Sequence, residues 1–448
     1  MDALLITLNG EACAVQAPPT TTLLDWLRGR GLGGTKEGCA EGDCGACTVV
    51  IEAGGERRPV NACLCIMGQL HGRAVRTIEG LGPAHPVVRA LAEGDATQCG
   101  FCTPGIAMAA WAHTRAGGDQ HEALAGNLCR CTGYRPILDA MSGLMDDGVS
   151  GPDVEPRRPG LDFGGFHLPA SLAEALALRA AHPAAWVLAG GTDLGLRFAE
   201  HREHPARVIC LRDVAEMQGV GAGPEGLRLG AAASYEEWLR ACRADPGFAP
   251  LAPFLSRLGS RQIRALGSVG GNLGTASPIG DALPVLLALD ATVELAGPRG
   301  ARRLPVGAFL AGYRRNALAP DELIVAVDLP RPPPGALLAA EKLSRRYDQD
   351  ISAVSLAACV ELDGGVVTRA RLAFGGMADR ALRVPEAEAA LLHRPLDDAA
   401  LREAGAALRL APLGDHRAGA TYRLDAARGL LRRLALRHAG LAATVHEA

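Results

Sequence analysis

The distribution of cysteine is the strongest constraint on how this chain folds. The sequence of 448 residues contains 13 cysteines, and ten of them precede residue 132. The other three, Cys210, Cys242 and Cys359, are isolated and, like Cys13, are interpreted as small hydrophobic core residues. The sequence shows no secretory signal and no apolar run of roughly 20 residues, so we expect a soluble, cytoplasmic protein. Disulfides are rare in that reducing compartment, and the N-terminal cysteines therefore require another explanation.

Composition narrows the class of protein. Hydrophobic residues make up 48% of the chain, which is enough for sizeable cores, although aromatic residues contribute only 4%. At roughly 150 residues per domain, the length suggests about three domains. The formal net charge is −3, so the chain has no overall basic field for binding a nucleic acid or an anionic membrane. We expect neither as a partner.

The first group of cysteines has the spacing C-x4-C-x2-C and consists of Cys39, Cys44 and Cys47. This is the plant-type ferredoxin spacing for a 2Fe–2S cluster. Glycines within the loop allow the backbone to fold closely around the cluster sulfurs. By spacing alone, the fourth ligand is either Cys63 or Cys65. A structural zinc site is the alternative, although zinc usually takes two closely spaced pairs, which the x4–x2 loop does not offer.

A second group combines Cys99-x2-Cys102 with Cys129-x-Cys131. Each pair is predicted at a helix end beside a glycine-containing turn, where free backbone N–H groups stabilise thiolates and cluster sulfurs. The C-x-C pair is uncommon in zinc sites and in dithiol redox sites. Next to a ferredoxin-like loop, these four cysteines indicate a second 2Fe–2S cluster.

Periodicity and turn residues predict the elements around these groups. Alternating residues on both sides of Asn9-Gly10 predict a hairpin, and Thr48–Glu52 and Val75–Ile78 are predicted strands. Helices are expected at 86–92, 106–114 and 122–128, and a capping box predicts another from Ser171 to Ala181. Near the C-terminus, Asp363-Gly364-Gly365 predicts a hairpin, followed by three helical stretches.

Two glycine loops suggest a nucleotide cofactor. Residues 187–194 (VLAGGTDL) have the pattern of a strand, a glycine turn and a helix start, which presents backbone N–H groups to a pyrophosphate. A second loop runs through residues 267–272 (GSVGGN) and 277–281 (SPIGD). Because no G-x-G-x-x-G motif follows a first strand, a Rossmann flavoprotein is not indicated.

Taken together, these motifs resemble the molybdenum hydroxylase (xanthine oxidase) family, and in particular the iron–sulfur/FAD subunits of its xanthine dehydrogenase branch. The resemblance extends from about residue 4 to about residue 440. It is carried by residues 34–48 (GTKEGCAEGDCGACT), 61–63 (NAC), 98–105 (QCGFCTPG), 127–134 (NLCRCTGY), both glycine loops, 342–354 (KLSRRYDQDISAV) and 374–378 (FGGMA).

The resemblance implies an α+β multidomain fold. Its expected parts are a β-grasp ferredoxin-like 2Fe–2S domain at 1–82, a four-helix 2Fe–2S domain at 83–145, a linker at 146–162, a vanillyl-alcohol-oxidase-type FAD domain at 163–338 and a C-terminal α+β domain at 339–448. It selects Cys63 as the fourth ligand of the first cluster.

The resemblance also implies the site residues. The cluster ligands are Cys39, Cys44, Cys47 and Cys63 for the first cluster and Cys99, Cys102, Cys129 and Cys131 for the second. The FAD contacts are Glu41, Gly42, Val187, Leu188, Ala189, Gly190, Gly191, Thr192, Asp193, Leu194, Leu258, Ser268, Val269, Gly270, Gly271, Asn272, Asp281, Ile324 and Lys342. Leu258 is a departure, since the family usually has an aromatic residue there against the flavin ring.

The implied function is electron transfer. A large molybdopterin-binding partner subunit, in an (αβ)2 heterotetramer, would oxidise hypoxanthine and xanthine to urate. Electrons would pass through the two 2Fe–2S clusters to FAD and then to NAD+, so this chain would contain no catalytic residue for the hydroxylation. The alternatives are the same role in a hydroxylase for an aldehyde or another N-heterocycle, or a non-enzymatic zinc scaffold.

Overall fold

The computed structural model describes residues 3–149, 160–412 and 414–441. The chain divides into two compact units, Met1–Glu216 with Gly259–Gly267 and Met217–Leu258 with Ser268–Ala448. The segment 259–267 therefore packs in the first unit, although the residues on both sides of it belong to the second. Among the helices of the described residues, none is both long enough and apolar enough to cross a bilayer.

The first unit begins with a five-stranded sheet. Its strands lie in the order Glu11–Ala14, Leu5–Leu8, Ala74–Arg76, Thr48–Ala53 and Glu56–Asn61. Only Leu5–Leu8 and Ala74–Arg76 pair in parallel, and the other neighbours are antiparallel. The predicted hairpin at Asn9-Gly10 and the strand from Thr48 are confirmed. This mixed sheet with a helix on one face is the ferredoxin-like fold that the sequence predicts.

The helix Leu23–Gly29 packs on this sheet because its apolar residues share one face. Thr22 caps it by accepting a hydrogen bond from the Asp25 N–H, and Leu23, Leu24 and Leu27 are buried. The predicted strand Val75–Ile78 is too long. It ends at Arg76, because the Thr77 N–H donates to the Asn9 side chain and a short helix, Ile78–Leu81, follows.

The next region consists of four helices, as the sequence predicts. They are Pro86–Glu93, Thr103–Ala116, Gln120–Leu124 and Arg135–Met141. The central helix Thr103–Ala116 is buried along most of its length, and its Trp111 is only 1% exposed. The predicted helix 122–128 is too long, since it ends at Leu124 and the chain then turns into contact with the first cysteine loop.

The start of the predicted linker 146–162 is bound to these two regions. Asp147 accepts hydrogen bonds from Trp111 Nε1 at 2.8 Å and from Arg57, and its other close neighbour is His85 Nε2 at 2.8 Å. The Arg57 guanidinium also stacks over the Trp111 ring at 4.0 Å. Residues 150–159 of the predicted linker lie outside the described residues, and its last two residues, Leu161 and Asp162, form a strand.

The part of the first unit that is described after residue 160 consists of a four-stranded sheet and three helices. The strands lie in the order Leu161–Asp162, Phe166–Leu168, Val208–Cys210 and Trp186–Leu188, and the helices are Leu172–Ala181, Leu194–Ala199 and Arg261–Leu266. Ser171 caps the first of these helices by accepting from the Glu174 N–H. The capping box is incomplete, because the Glu174 carboxylate accepts from the Ala170 N–H instead of from Ser171.

The described residues of the second unit form three antiparallel sheets. The first has the order Val220–Gly223, Gly226–Gly230, Leu323–Pro330, Thr292–Gly297 and Gly300–Pro305; the second pairs Leu310–Gly312 with Arg315–Asn316; the third has the order Leu337–Leu343, Val354–Asp363, Val366–Gly375 and Leu382–Arg383. The hairpin predicted at Asp363-Gly364-Gly365 is confirmed in the third sheet.

The helices of the second unit cover these sheets. They are Tyr235–Ala244, Ala252–Leu255, Val269–Thr275, Ala282–Ala288, Val306–Phe309, Pro385–Ala389, Asp398–Ala406 and Ala420–His438. The last three are the predicted C-terminal helices. Their core is built from small and aliphatic residues such as Ala404, Leu430 and Leu431, as expected of a chain with few aromatic residues.

Candidate functional site

The first cysteine loop is folded so that backbone N–H groups point at thiols. The Cys39 N–H lies 3.4 Å from Cys44 Sγ, and the Cys44 N–H lies 3.3 Å from Cys39 Sγ. Gly42 and Gly45 have positive φ values of 81° and 65°, which favour glycine. A Cβ at Gly38 would lie 2.8 Å from Cys44 Sγ, so this glycine leaves room for the sulfur.

The eight predicted cluster ligands lie in close pairs of thiols. Across the described residues, no group of three or more His, Cys, Asp or Glu side chains is arranged to hold a metal ion. A 2Fe–2S cluster, however, has two irons with two protein ligands each, so paired thiols are the arrangement that suits it. In the first loop, hydrogen bonds pair Cys39 with Cys44 and Cys47 with Cys63.

The pairing alters the acidity of these thiols. The Cys44 side chain and the backbone N–H groups around it lower the pKa of the Cys39 thiol to about 5, against the opposing effect of burial. The hydrogen bond from Cys63 likewise lowers the pKa of Cys47. Each pair therefore holds one sulfur that is easily deprotonated, and the thiolate is the form that ligates iron.

The two candidates for the fourth ligand have different surroundings. Cys63 faces Cys47, while Cys65 is 0% exposed and lies near Arg212 and Cys210. Burial raises the pKa of the Cys65 thiol to about 12, and the hydrogen bond to Cys47 together with burial raises the pKa of Cys63 as well, so the neighbours of the two thiols separate them and their acidity does not. Cys65 therefore has the character of a core residue.

The second cysteine group is paired in the same way but is closer to solvent. Cys131 Sγ lies 3.6 Å from Cys99 Sγ, and Cys102 is hydrogen-bonded to Cys129. Cys99 and Cys131 are exposed, whereas Cys129 is buried. The sequence predicts both cysteine pairs at helix ends. This is confirmed for Cys102, which precedes the helix Thr103–Ala116. Cys129 and Cys131 instead lie in a loop.

The two cysteine loops touch each other through their backbones. The Leu128 N–H donates to the Cys44 carbonyl at 2.9 Å. This bond joins a predicted ligand of the first cluster, Cys44, to the residue before Cys129, a predicted ligand of the second. A Cβ at Gly45 would overlap the Gly126 carbonyl, and a Cβ at Gly105 would overlap the Gly45 carbonyl. Glycine is therefore required at both positions for the loops to approach this closely.

The predicted flavin loop 187–194 lies against the segment that follows Cys63, within the first unit. Gln69 Nε2 donates to the carbonyls of Ala189 and Gly190, each at 3.2 Å. A Cβ at Gly195 would lie 2.6 Å from the Leu64 carbonyl, one residue after Cys63. The loop itself is tight, since a Cβ at Gly190 would overlap the Leu266 carbonyl and Gly191 has a φ of 80°.

The second flavin loop, residues 268–272, starts a helix in the second unit. Ser268 caps the helix Val269–Thr275 by accepting from the Gly271 N–H at 3.1 Å. A Cβ at Gly270 would lie 2.6 Å from Ala231. Asn272 Oδ1 is buried with no hydrogen-bond partner. An unpaired buried acceptor is costly, and it fits a site at which a polar cofactor supplies the missing donor.

Asp281 and Lys342, both predicted to contact the flavin, bind each other. Lys342 Nζ lies 2.7 Å from Asp281 Oδ2 and donates to the Arg257 carbonyl at 3.0 Å. Ser352 Oγ donates to Asp281 Oδ1 at 2.5 Å. The Lys342 side chain is 1% exposed and that of Asp281 is 9% exposed. The charges are thus held in fixed positions in a dry environment.

The remaining predicted contacts have mixed surroundings. Leu258 is half-buried, Ile324 is buried in the strand Leu323–Pro330, and Thr192 is half-buried. Burial and the negative charges of Cys39, Asp43 and Glu200 raise the pKa of the Glu41 carboxyl.

Two further residues near these sites were not found from the sequence. Arg257 donates to the Tyr347 carbonyl at 3.1 Å and lies over the Tyr347 ring at 4.3 Å, so it holds the loop after Lys342. Gln262 reaches both cysteine loops. Neither residue belongs to a motif, and their partners are 90 and more than 130 positions away in the sequence, so no local pattern could reveal them.

Comparison with known domain families finds cluster-binding domains in the N-terminal region and flavoprotein domains after it. Residues 6–68 match a "2Fe-2S iron-sulfur cluster binding domain" and residues 77–142 a "[2Fe-2S] binding domain". Residues 161–332 match the "FAD binding domain in molybdopterin dehydrogenase", and residues 339–438 the "CO dehydrogenase flavoprotein C-terminal domain". The chain is thus an iron–sulfur flavoprotein by its domains.

Whole-chain relatives point to one family. Xanthine dehydrogenase of Drosophila subobscura is 34% identical, and the match covers 88% of this chain and 36% of that protein. Xanthine dehydrogenase/oxidase of Mus musculus is also 34% identical, and the match covers 85% of this chain and 34% of that protein. The chain therefore spans about a third of the length of these curated relatives. Among solved structures, carbon monoxide dehydrogenase of Oligotropha carboxidovorans is 30% identical, covering 62% of this chain and 97% of that one, with a TM-score of 0.55.

Quinoline 2-oxidoreductase of Pseudomonas putida 86 is also similar, at 26% identity and a TM-score of 0.56, over 63% of this chain and 99% of that one. Both structural relatives match with nearly their full chain. With the four domain matches in order, this shows that the chain belongs to the molybdenum hydroxylase family, of which it carries the iron–sulfur and flavin domains.

Proposed function

We propose that this chain transfers electrons from the molybdenum centre of a partner subunit to FAD, and that FAD passes them to NAD+. Cys39, Cys44, Cys47 and Cys63 would hold one 2Fe–2S cluster, and Cys99, Cys102, Cys129 and Cys131 the other. When bound, the clusters carry single electrons and the flavin collects two of them for transfer as a hydride. The rest of the proposal concerns what the residues of the chain do.

The observation that carries this proposal is the order of contacts within the first unit. At one end, Cys99 and Cys131 are exposed. In the middle, the Leu128 N–H donates to the Cys44 carbonyl at 2.9 Å. At the other end, Gln69 donates to the carbonyls of Ala189 and Gly190 in a predicted flavin loop. Both cysteine groups thus form a continuous series from a solvent-exposed surface to the glycine loop.

The chain excludes water from two of the four cysteines in the first group. Cys47 and Cys63 are 2% and 1% exposed, and the apolar core around them includes Leu64 and Ile66. Solvent exposure is one of the properties that sets the potential of a 2Fe–2S cluster. The first group, deeper in the protein than the second, would therefore have a different potential.

For FAD, the proposed contacts are residues 187–194, 268–272, Leu258, Asp281, Ile324 and Lys342, with Glu41 and Gly42 from the first cysteine loop. The buried Lys342–Asp281 pair supports this proposal, because it holds polar groups in fixed orientations, without net charge, in the unit that contains the 268–272 loop. Fixed dipoles of this kind can stabilise the negative charge that a flavin gains on reduction. Ser352 fixes the carboxylate of the pair.

For the substrate, we propose a purine oxidised by a large molybdopterin subunit in an (αβ)2 assembly. The support is the similarity to proteins named xanthine dehydrogenase over 85–90% of the chain. Another N-heterocycle is the second candidate, since the similar solved structures include a quinoline 2-oxidoreductase. We propose NAD+ as the acceptor because the resemblance to the xanthine dehydrogenase branch includes residues 342–354.

The decisive experiment is the visible spectrum of the purified chain with its iron, zinc and flavin content, before and after dithionite. We expect about four irons and one FAD per chain, with bleaching on reduction. Adding NADH to the oxidised protein anaerobically would test the acceptor, since NADH should then bleach the same bands. A colourless protein with stoichiometric zinc and no flavin would contradict the proposal.

A further inference from the structure

One backbone carbonyl in the first cysteine loop is the meeting point of a buried network. The carbonyl of Gly45, between Cys44 and Cys47, accepts from the Thr48 N–H at 3.1 Å, from Thr48 Oγ1 at 2.7 Å and from Asn127 Nδ2 at 2.9 Å. Asn127 is two residues before Cys129. The network therefore joins a peptide of the first ligand loop to a side chain of the second.

Gln262 completes this network from a distant part of the sequence. Its Nε2 donates to Asn127 Oδ1 at 2.8 Å and to Thr48 Oγ1 at 3.1 Å. Gln262, Thr48 and Asn127 are each exposed by only 1–2%. Gln262 lies in the helix Arg261–Leu266, within the short segment 259–267 that packs in the first unit.

The donors and acceptors allow one arrangement of these side chains. Asn127 uses its NH2 group on Gly45 and Thr48, so its oxygen must face Gln262. Gln262 must then present its own NH2 group, and Thr48 must donate its hydroxyl hydrogen to the Gly45 carbonyl. Gln262 Oε1 is buried without a partner, but every N–H and O–H of the three side chains has one, and these bonds restrict how the side chains can be oriented.

The hydrogen bond from the Leu128 N–H to the Cys44 carbonyl also joins the two loops, but one backbone bond does not fix their relative orientation. They meet at glycines, because a Cβ at Gly45 would overlap the Gly126 carbonyl and a Cβ at Gly126 would overlap Gln262 Oε1. Glycine permits close approach but is conformationally free, so it does not hold two loops in place. The side chains of the network supply that restraint.

We infer that Gln262 is a positioning residue that fixes the spacing and orientation of the two cysteine loops, and so of the two clusters that they hold. This inference rests on the proposed function. The Gln262 amide donates to Asn127 and Thr48, and it acts through them and the Gly45 carbonyl. Its removal should therefore alter how the clusters interact more than whether they bind.

The test is electron paramagnetic resonance of the dithionite-reduced full chain, together with a redox titration of both signals. Magnetic interaction between two reduced clusters splits their signals and depends steeply on their separation. Gln262→Leu removes the donor, and Gln120→Leu, the same change at the start of the helix Gln120–Leu124, is the matched control. Thr48→Val removes the hydroxyl that both amides need, and Thr48→Ser retains it.

We expect Gln262→Leu and Thr48→Val to retain about four irons per chain, to change the splitting and to shift at least one cluster potential. Gln120→Leu and Thr48→Ser should match the wild type. Wild-type splitting and potentials in both Gln262→Leu and Thr48→Val would overturn the inference while leaving the proposed function intact. If Gln262→Leu does not fold, the Thr48 pair decides by the same criteria. A wild-type chain without iron would overturn the proposed function itself.

Discussion

At the scale of single residues, the surroundings of each thiol decide its role. Cys63 and Cys65 are both fully buried and only two positions apart. Sequence spacing cannot decide which of two cysteines this close together is the cluster ligand. They are separated by direction, since Cys63 points at Cys47 and Cys65 points into a core that contains Cys210.

Substitution of the two cysteines should therefore have opposite results. We expect Cys63→Ser to lower the iron content from about four to about two per chain and to remove one of two paramagnetic signals, because one ligand of the first cluster is lost. Cys65→Ser should keep both signals. Loss of the first signal in Cys65→Ser with retention in Cys63→Ser would show that the ligand assignment is wrong.

The pH dependence of stability should include a contribution from His113. Burial lowers the pKa of its imidazole, the Arg261 guanidinium lowers it further, and the Asp119 and Glu122 carboxylates oppose this only in part. The unfolded chain then binds a proton near pH 6.5 that the folded chain does not, so stability falls as the pH decreases through that value.

We expect the free energy of unfolding of the wild type to decrease between about pH 8 and about pH 5.5. In His113→Gln this decrease should be smaller, because the titrating group is absent. Urea denaturation at several pH values measures the difference between the two proteins, from which the other histidines cancel. An equal or steeper decrease in the variant would contradict the assignment.

At the scale of elements, the short helix Arg261–Leu266 matters more than its length suggests. Ser260 caps it, and two of its side chains enter the first unit at different points: Gln262 at the cysteine loops, and Arg264 at Glu122. Arg264 is 0% exposed, and its guanidinium lies 2.7 Å from Glu122 Oε1. The helix Arg261–Leu266 thus binds the helix Gln120–Leu124 through Arg264 and the loop that follows it through Gln262.

Arg264→Met should destabilise the first unit by about 2–3 kcal/mol, because removal of one partner of a largely buried pair leaves the other charge without compensation. Arg89→Met is the control, since the Arg89–Glu93 pair is exposed by 62% and 66% and such pairs contribute little. Denaturant titrations of the two variants measure the comparison. If Arg264→Met lowers the free energy of unfolding no more than Arg89→Met does, the prediction for the buried pair is wrong.

At the scale of the whole molecule, the surface around the second cysteine group is suited to a protein partner. Phe101 and Leu128 are 47% and 55% exposed and flank Cys102 and Cys129 in the sequence, and Cys99 and Cys131 are exposed beside them. Exposed apolar residues next to ligands of an electron-transfer cluster would be covered in the assembled enzyme. We propose that the molybdopterin subunit covers them.

Phe101→Glu should weaken the association with a co-expressed molybdopterin subunit by about 30-fold or more, because a buried interface aromatic is replaced by a charge. The iron content and the paramagnetic signals of the isolated chain should not change. Tyr313→Glu, at an aromatic residue that is 63% exposed in the second unit, is the control. Co-elution in size-exclusion chromatography measures the association. An intact complex with Phe101→Glu would show that this surface does not bind the molybdopterin subunit.

The sequence by itself determined which kinds of domain this protein contains, two 2Fe–2S domains and an FAD-binding domain. The C-x4-C-x2-C loop, the C-x2-C and C-x-C pairs and the glycine loops are local patterns, because ligand geometry and backbone conformation depend on near neighbours along the chain. For the same reason, the ferredoxin-like hairpin at Asn9-Gly10 and the hairpin at Asp363-Gly364-Gly365 were predictable. Element ends were less so, as the helix that stops at Leu124 shows.

Only the tertiary structure decided how these parts are joined. Three contacts join residues that are 61 to 214 positions apart in the sequence. The Leu128 N–H donates to the Cys44 carbonyl, Gln262 donates to Asn127 and Thr48, and Lys342 pairs with Asp281. Such contacts are set by how elements pack and by which buried polar groups must find partners. No periodicity or spacing within one segment contains that information.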